Sequence, residues 1–136
     1  MDTQYGQYVY THPIVPTDFG PMLEMVGEDF YKTNFHIMYL PVLEPVLMEE
    51  YPHSHDFDMY LTFLGFDPDG LNELGAEIEI GLGKEQEIHV ITTPTSVYIP
   101  KGMVHCPLHF KRIDKPVLLV HCSMASKYQK GEVYKE

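Results

Sequence analysis

Short apolar segments separated by turn residues run along the chain from residue 35 onward. In the clearest segment, residues 75–82, Ile78 and Ile80 share one face. Glu77 and Glu79 share the other face, which is the two-residue period of a half-buried strand. The same pattern predicts strands at residues 35–40, 45–50, 56–65, 75–82, 87–92, 96–99, 104–110 and 116–122. A series of short strands with turns between them is typical of an antiparallel sandwich or barrel.

Helical periodicity is weak throughout the chain. Residues 1–20 look irregular, with Pro13 and Pro16 as breakers, and only residues 21–30 allow a short helix, which Gly27 weakens. A doubly wound α/β fold is excluded because its crossover helices have no segment to form from. We expect one domain over residues 1–136, made of an N-terminal arm at 1–34, a barrel at 35–122 and a C-terminal tail at 123–136.

The charge balance excludes two classes of partner. Nine Lys and Arg against 20 Asp and Glu give a formal net charge of −11, which repels nucleic acid and anionic membrane surfaces alike. The longest apolar run, residues 116–120, is far shorter than the roughly 20 residues of a membrane span. No basic and apolar leader opens the sequence, so we expect a cytoplasmic protein. Two cysteines cannot build a disulfide framework, and buried thiols are expected.

The eight histidines are the unusual feature of the composition. His53 and His55 are two residues apart where a strand begins, so both imidazoles project to one face. A turn of the form Pro100-x-Gly102 leads into a later strand that opens with His105. Neutral imidazole is the commonest side-chain ligand of Zn, Fe, Ni and Cu. All three residues are therefore of the type that binds transition metals.

The two histidine motifs resemble those of the cupin superfamily, written G-x5-H-x-H-x3,4-E-x6-G and G-x5-P-x-G-x2-H-x3-N. This chain supplies His53-Ser54-His55, followed ten residues later by Gly65, and the whole of Pro100-x-Gly102-x2-His105. The resemblance implies an all-β double-stranded β-helix, or jelly-roll barrel, with one metal inside it. It also implies His53, His55 and His105 as metal ligands, a homodimer, and oxygenase, isomerase or decarboxylase chemistry without choosing among them.

The carboxylate of the first cupin motif is missing. Its place falls on Met59 or Tyr60, and strand parity selects Met59, which acts either as a thioether ligand or as core filler. Asp58 replaces the carboxylate only if a bulge reverses the parity. Three neutral histidines leave a divalent ion with its full charge, and thioether sulfur is a poor ligand for hard ions. We therefore expect weak metal binding, or Zn, Fe, Ni or Cu in preference to Mn.

Several other residues are candidates for the pocket. His109 lies four residues after His105, so on a regular strand the two side chains share one face. His109 is then a fourth ligand, an acid–base group or an ordinary residue of the barrel. His121 is either a pocket group or a buried, hydrogen-bonded histidine. Tyr60 and Tyr98 either line the pocket or fill the core. Cys106 follows the second-motif histidine directly, so parity turns it to the opposite face and it is not predicted to bind metal.

Three functions remain open at the level of sequence, since a fold does not define a function. The leading hypothesis is a metal site that binds a small organic molecule. The alternative, motivated by Met59, is a non-catalytic binding or sensory module whose metal site is weak or lost. The third is a purely structural domain. The predicted partners are a small-molecule ligand and a second copy of the chain, with no nucleic acid and no membrane.

Overall fold

The computed structural model describes residues 3–127, and strands dominate them. One short 3-10 turn, Gly6–Tyr8, precedes the strands. The ten strands are β1 (Ile14–Thr17), β2 (Gly20–Val26), β3 (His36–Val42), β4 (Val46–Glu49), β5 (Met59–Gly65), β6 (Ala76–Leu82), β7 (Glu87–Ile91), β8 (Thr95–Ile99), β9 (His105–Ile113) and β10 (Val117–Ser123). No helix in residues 3–127 is long and apolar enough to cross a membrane.

The strands form two antiparallel sheets. The larger sheet has the order β1-β2-β3-β10-β5-β8, and the smaller has the order β4-β9-β6-β7. Strands that are distant in sequence lie side by side, as in a jelly roll, so the predicted all-β fold is confirmed. The sheets are not joined into one closed barrel. A cavity between them therefore has an open side.

The core lies between the two sheets at the inward positions of the strands. Phe63 of the larger sheet and Phe110 of the smaller sheet are fully buried. Their rings meet edge to face with centroids 6.0 Å apart. Burying such a side chain contributes about 1.5–3 kcal/mol to the free energy of folding. These contacts set the spacing of the two sheets.

The N-terminal segment differs from the prediction. Residues 14–26 form the β1–β2 hairpin instead of an irregular arm followed by a short helix. Leu23 of β2 pairs with Tyr39 of β3, so a non-local contact decides the conformation of this segment. Pro16 is tolerated because β1 is an edge strand. The expected arm is therefore part of the larger sheet.

The outer faces of the two sheets differ in charge. On the smaller sheet, Lys111 lies 3.8 Å from Glu77 and 3.3 Å from Glu79. On the larger sheet, no described residue on the outward side of the paired strand positions is charged. We call this surface the apolar outer face; its side chains include Ile14, Leu23, Met25, Ile37, Tyr39, Tyr60, Leu64, Tyr98, Leu118 and Val120. A chain of net charge −11 thus keeps one face free of charge.

Candidate metal centre

The three predicted ligand histidines come together between the sheets. His53, His55 and His105 are all buried. Their ring centroids are 4.4 Å apart for the pair 53–105, 4.8 Å for 53–55 and 5.1 Å for 55–105. The backbones of His53 and His105 also bond to each other in both directions, with N···O distances of 3.0 and 2.9 Å. The pairing of the two motifs fixes this triangle.

Backbone carbonyls set the tautomer of two of these rings. Nδ1 of His53 lies 3.2 Å from the carbonyl oxygen of Tyr51, and Nδ1 of His105 lies 3.0 Å from that of Met103. A carbonyl can only accept a hydrogen bond, so each Nδ1 carries a proton and donates it. Nε2 of each ring then has the lone pair, as metal-bound histidines require. The donor set therefore fits a transition metal.

The second-motif turn is tied to the first motif. The backbone N–H of Gly102 donates to the carbonyl of His55 at 2.8 Å. The side chain of Asp58 accepts from the backbone N–H of Lys101, also at 2.8 Å. The His55 ring stacks on Phe57, with centroids 4.9 Å apart. Asp58 thus holds the turn, and its predicted alternative role as the replacement carboxylate is not supported.

A cavity of about 290 Å³ opens beside the histidines. It is mostly apolar, and four of its side chains are methionines. Thr17 and Phe19, at the turn of the β1–β2 hairpin, form part of its wall. The lining residues are Thr17, Phe19, Met22, Met38, Leu40, Met48, Glu49, His53, His55, Met59, Leu61, His105, Cys106, Leu108, Leu119 and His121.

Met59 lies where strand parity predicts. It is buried, with 2% of its surface exposed, and it lines the cavity at the start of β5. Phe57, two residues earlier, is also buried, while Asp56 and Tyr60 are exposed. The strand that contributes the carboxylate in the cupin motif thus contributes a thioether here.

Glu49 brings a carboxylate to the cavity from β4, which the sequence interpretation missed. The register moves from Leu47 opposite His109 to Glu49 opposite Leu108, so Met48 is an extra residue in a β-bulge. The bulge turns Glu49 inward, where Oε1 lies 3.9 Å from Nδ1 of His53. The adjacent acids at 49 and 50 were the available signal, since one of two neighbouring strand residues faces inward in either register.

Cys106 enters the cavity through a second bulge. Ile80 pairs with Leu108 and Leu82 pairs with His105, so two residues of β9 face the single residue Gly81. Cys106 has a φ of 84°, outside the strand region. The expectation that Cys106 faces away from the cavity is therefore wrong. Pro107 in the middle of a predicted strand was the signal, because proline within a sheet marks an edge or a bulge.

The structure places His53, His105 and Cys106 in one group that could hold a metal ion. One ligand atom from each lies within 4.8 Å of the other two. All three side chains are buried. His55 lies beside this group, with its ring on Phe57. The predicted trio of histidines is thus joined by a sulfur atom.

Three other predicted pocket residues lie outside the cavity. The bulge in β9 reverses the parity after Cys106, so Leu108 and Phe110 point inward and His109 pairs with Leu47 and Glu79 on the outer side. His109 therefore does not share the face of the second-motif histidine. The rings of Tyr60 and Tyr98 pack against each other at 5.2 Å on the apolar outer face. Neither tyrosine lines the cavity or fills the core.

His121 lines the cavity, which agrees with the first of its two predicted roles, a pocket group. It is buried on β10, with 7% of its surface exposed. Desolvation in the first place, and the neighbouring histidines in the second, lower the pKa of His121 from 6.5 to about 3. The side chain is therefore neutral at pH 7 in the metal-free protein.

This buried neutral histidine predicts acid lability of the metal-free protein. Between pH 6.5 and about 3 the unfolded chain binds a proton at His121 that the folded chain does not, so stability is lost as the pH falls below 6.5. The free energy of unfolding falls by about 1.4 kcal/mol per pH unit through this group, which amounts to about 2 kcal/mol at pH 5. Urea unfolding in the presence of a chelator should show a smaller loss for His121→Gln than for wild type. The exposed His89→Gln should behave as wild type, and an equal loss in all three proteins would contradict the assignment.

Several solved proteins share this architecture at very low sequence identity. No protein-family model matches the chain, and no curated protein matches it. A mutant of Bacillus subtilis oxalate decarboxylase superposes with a TM-score of 0.62 at 11% identity, over 88% of this chain and 29% of that one. Recombinant oxalate oxidase superposes at 0.55 and 12% identity, over 81% and 53% of the two chains.

A third relative is the hydroxypropylphosphonic acid epoxidase from S. wedmorenis. It superposes with a TM-score of 0.53 at 16% identity, over 82% of this chain and 55% of that one. This chain thus spans about a third to a half of the solved proteins it resembles. All three relatives are cupin-fold proteins. At these identities the likeness concerns the fold, and this chain has the cupin fold.

Proposed function

We propose that this protein binds one divalent transition metal through His53, His55 and His105, and a small organic molecule beside it. The observation that carries the proposal is the convergence of three buried imidazoles between the sheets. Two of them have Nδ1 committed to a backbone carbonyl, which leaves Nε2 to the metal. The fold supports this reading, since one of the similar oxalate decarboxylase structures concerns Mn(II) centres.

The metal, when bound, supplies Lewis acidity or activation of water or O₂. The residues that hold it are neutral imidazoles without a carboxylate beside them on β5. Borderline and soft ions accept such a set better than hard ions do. We therefore propose Zn, Fe, Ni or Cu in preference to Mn.

The shape and chemistry of the cavity indicate the class of ligand. Its volume of about 290 Å³ is at the small end of ligand pockets. Among the described residues that line it, none is a lysine or arginine. An anionic group of the ligand therefore has the metal as its only cationic partner there. We infer a small, mostly apolar molecule with a single metal-binding oxygen group, in contact with the methionines.

Glu49 is the cavity group that is placed to move a proton, whereas His121, with a pKa of about 3, is a poor proton acceptor at pH 7. Glu49 is the one carboxylate among the described lining residues, and His121 is neutral at pH 7. A carboxylate within reach of a polarised ligand is placed to accept or return a proton. This arrangement supports an oxygenase, isomerase or decarboxylase that works on a metal-bound ligand.

The test of this function is metal content. The protein purified without added metal should contain a transition metal, or should take up about one equivalent of Zn(II) or Fe(II) in a calorimetric titration. Less than about a tenth of an equivalent, with no uptake on titration, would rule the proposal out.

Met59 favours a second candidate, a non-catalytic binding module with a weakened metal site. The two candidates differ in how the ligand depends on the metal. Small carboxylic acids and ketones should raise the melting temperature of the metal-loaded protein but not of the chelator-treated protein if the ligand binds to the metal. Equal stabilisation in both states would favour the binding module.

The apolar outer face supports a further proposal, that the chain forms a homodimer through it. A two-fold interface brings the same surface of both copies together. Two chains of net charge −11 repel least where neither presents a charge, and this face is also rich in leucine, isoleucine and tyrosine. Patches of this kind mark interaction surfaces.

A lysine introduced on this face should dissociate the dimer. Leu23 is 38% exposed on the apolar outer face, and Leu23→Lys would bury two ammonium groups at a two-fold interface. We expect wild type to sediment as a dimer and Leu23→Lys as a monomer. The control is Val90→Lys on the outer face of the smaller sheet, which should remain dimeric. A wild-type protein that is monomeric at all concentrations would contradict the proposal.

A further inference from the structure

We propose that Cys106 is a metal ligand, whose thiolate supplies the negative donor that Met59 does not. The inference rests on the proposed metal site and deepens it. It assigns His53, His55, His105 and Cys106 to one coordination sphere, with neutral nitrogen donors and one anionic sulfur donor.

Geometry is the first argument. Ligand atoms of Cys106, His53 and His105 lie within 4.8 Å of one another. Nitrogen and sulfur atoms around a tetrahedral zinc ion are about 3.5 Å apart, given bond lengths of about 2.0–2.3 Å. Closing the group around an ion thus takes about 1 Å of movement, which a side-chain rotation provides. The cluster also lies on the cavity wall, where a ligand can reach the ion.

Charge is the second argument. Three imidazoles and a carboxylate leave a divalent ion with a net charge of about +1, and three imidazoles with a thiolate leave the same charge. Glu49 is not in this group of ligand atoms, and its contact with His53 is to Nδ1, at 3.9 Å, the nitrogen that already donates to the carbonyl of Tyr51. Met59 is neutral. Cys106 is thus the described cavity residue that restores the charge at the ion.

The backbone around Cys106 is the third argument. The residue has a φ of 84°, a conformation that costs a non-glycine residue about 1–3 kcal/mol. A Cβ added to Gly81 would stand 2.9 Å from the carbonyl oxygen of Cys106, so glycine is needed opposite it. A regular strand would have turned this side chain outward. The bulge has the specific result of bringing sulfur next to His53 and His105.

The binding step is simple to balance. The thiol of Cys106 loses its proton to solvent, a sulfur–metal bond forms, and one water molecule leaves the ion. Nothing is oxidised or reduced. Because thiolate is a soft donor, the site should prefer Zn(II), Fe(II), Ni(II) or Cu over Mn(II).

Cobalt substitution tests the assignment directly. Co(II) bound to a thiolate shows an intense charge-transfer absorption in the near ultraviolet, which nitrogen donors and thioethers do not give at that strength. We expect this band in wild type and its loss in Cys106→Ser, together with a fall of about 100-fold in Co(II) affinity. The matched control is Cys122→Ser, since Cys122 pairs with Tyr60 on the outer side of the larger sheet. This control should keep both the band and the affinity.

X-ray absorption on the zinc-loaded wild type covers the case in which Cys106→Ser fails to fold. A sulfur neighbour is expected at about 2.3 Å from zinc, beside nitrogen at about 2.0–2.1 Å. Met59→Leu should leave that sulfur in place, which distinguishes the thiolate from the thioether.

The outcomes separate the two proposals. Cobalt or zinc that binds through the histidines without a thiolate band or a sulfur neighbour overturns the role of Cys106 and leaves the metal site standing. A sulfur lost in Met59→Leu and kept in Cys106→Ser assigns the ligand to Met59 and also overturns it. Failure of wild type to bind either metal overturns both proposals.

Discussion

Removal of one ligand histidine is expected to reduce metal affinity by on the order of 100-fold or more. Structural zinc sites gain roughly 10–16 kcal/mol from about four ligands, so each ligand contributes several kcal/mol. His53→Ala and His105→Ala both remove an imidazole whose Nε2 faces the predicted ion. Calorimetric titration with Zn(II) would measure the loss.

The matched control for these variants is His89→Ala. His89 is exposed and bonds to Glu87, so its removal should leave zinc affinity unchanged. The metal-free variants should keep the wild-type circular dichroism spectrum, because the His53–His105 bridge is made by backbone atoms. Wild-type affinity in both ligand variants would show that zinc binds elsewhere.

The second large effect is expected from Met59→Glu, and its sign depends on the metal. Met59 is almost fully buried, so a carboxylate in its place loses its hydration. We expect the metal-free variant to be destabilised by about 3 kcal/mol and the zinc-loaded variant to regain much of that loss, because the ion pairs with the new charge. Urea unfolding with and without zinc measures both states.

Two further variants identify the cause of this effect. Met59→Gln introduces a polar group of the same length without the charge, and it should gain little from zinc. The double variant Met59→Glu with Cys106→Ser should recover the metal affinity that Cys106→Ser alone loses, because one anionic donor replaces another. Equal zinc dependence in wild type and Met59→Glu would mean that residue 59 does not face the ion.

The part of the site that the sequence predicts is the part where buried and more exposed residues alternate without interruption, from residue 53 to residue 59. His53, His55 and Met59 keep one parity through the first motif and the start of β5, and all three are buried. The Pro100-x-Gly102 turn aims His105 at them as its spacing indicates. Local alternation was enough to predict that residues 53, 55 and 59 face the cavity, and the second motif was enough to predict that His105 joins them.

The missed residues follow irregularities that depend on pairing between strands. Cys106 and Glu49 face the cavity because each lies at a bulge against a partner strand. His109 faces outward for the same reason. The β1–β2 hairpin was missed because its sequence has little strand pattern of its own and its conformation depends on the pairing of β2 with β3. None of these contacts is local in sequence, so periodicity alone does not reveal them.

The bulges at Met48 and at Cys106-Pro107 act on a strand as a frameshift acts on a coding sequence. Residues before the extra position keep one phase of the two-residue period, and residues after it adopt the other. A deletion of Met48 would make β4 regular and keep Glu49 opposite Leu108, but it would remove one methionine from the cavity wall. A deletion of Pro107 would leave Leu108 opposite Ile80 and would turn Cys106 outward, opposite Gly81. The chemistry of this cavity is therefore encoded in the number of residues along β4 and β9 as well as in their identity.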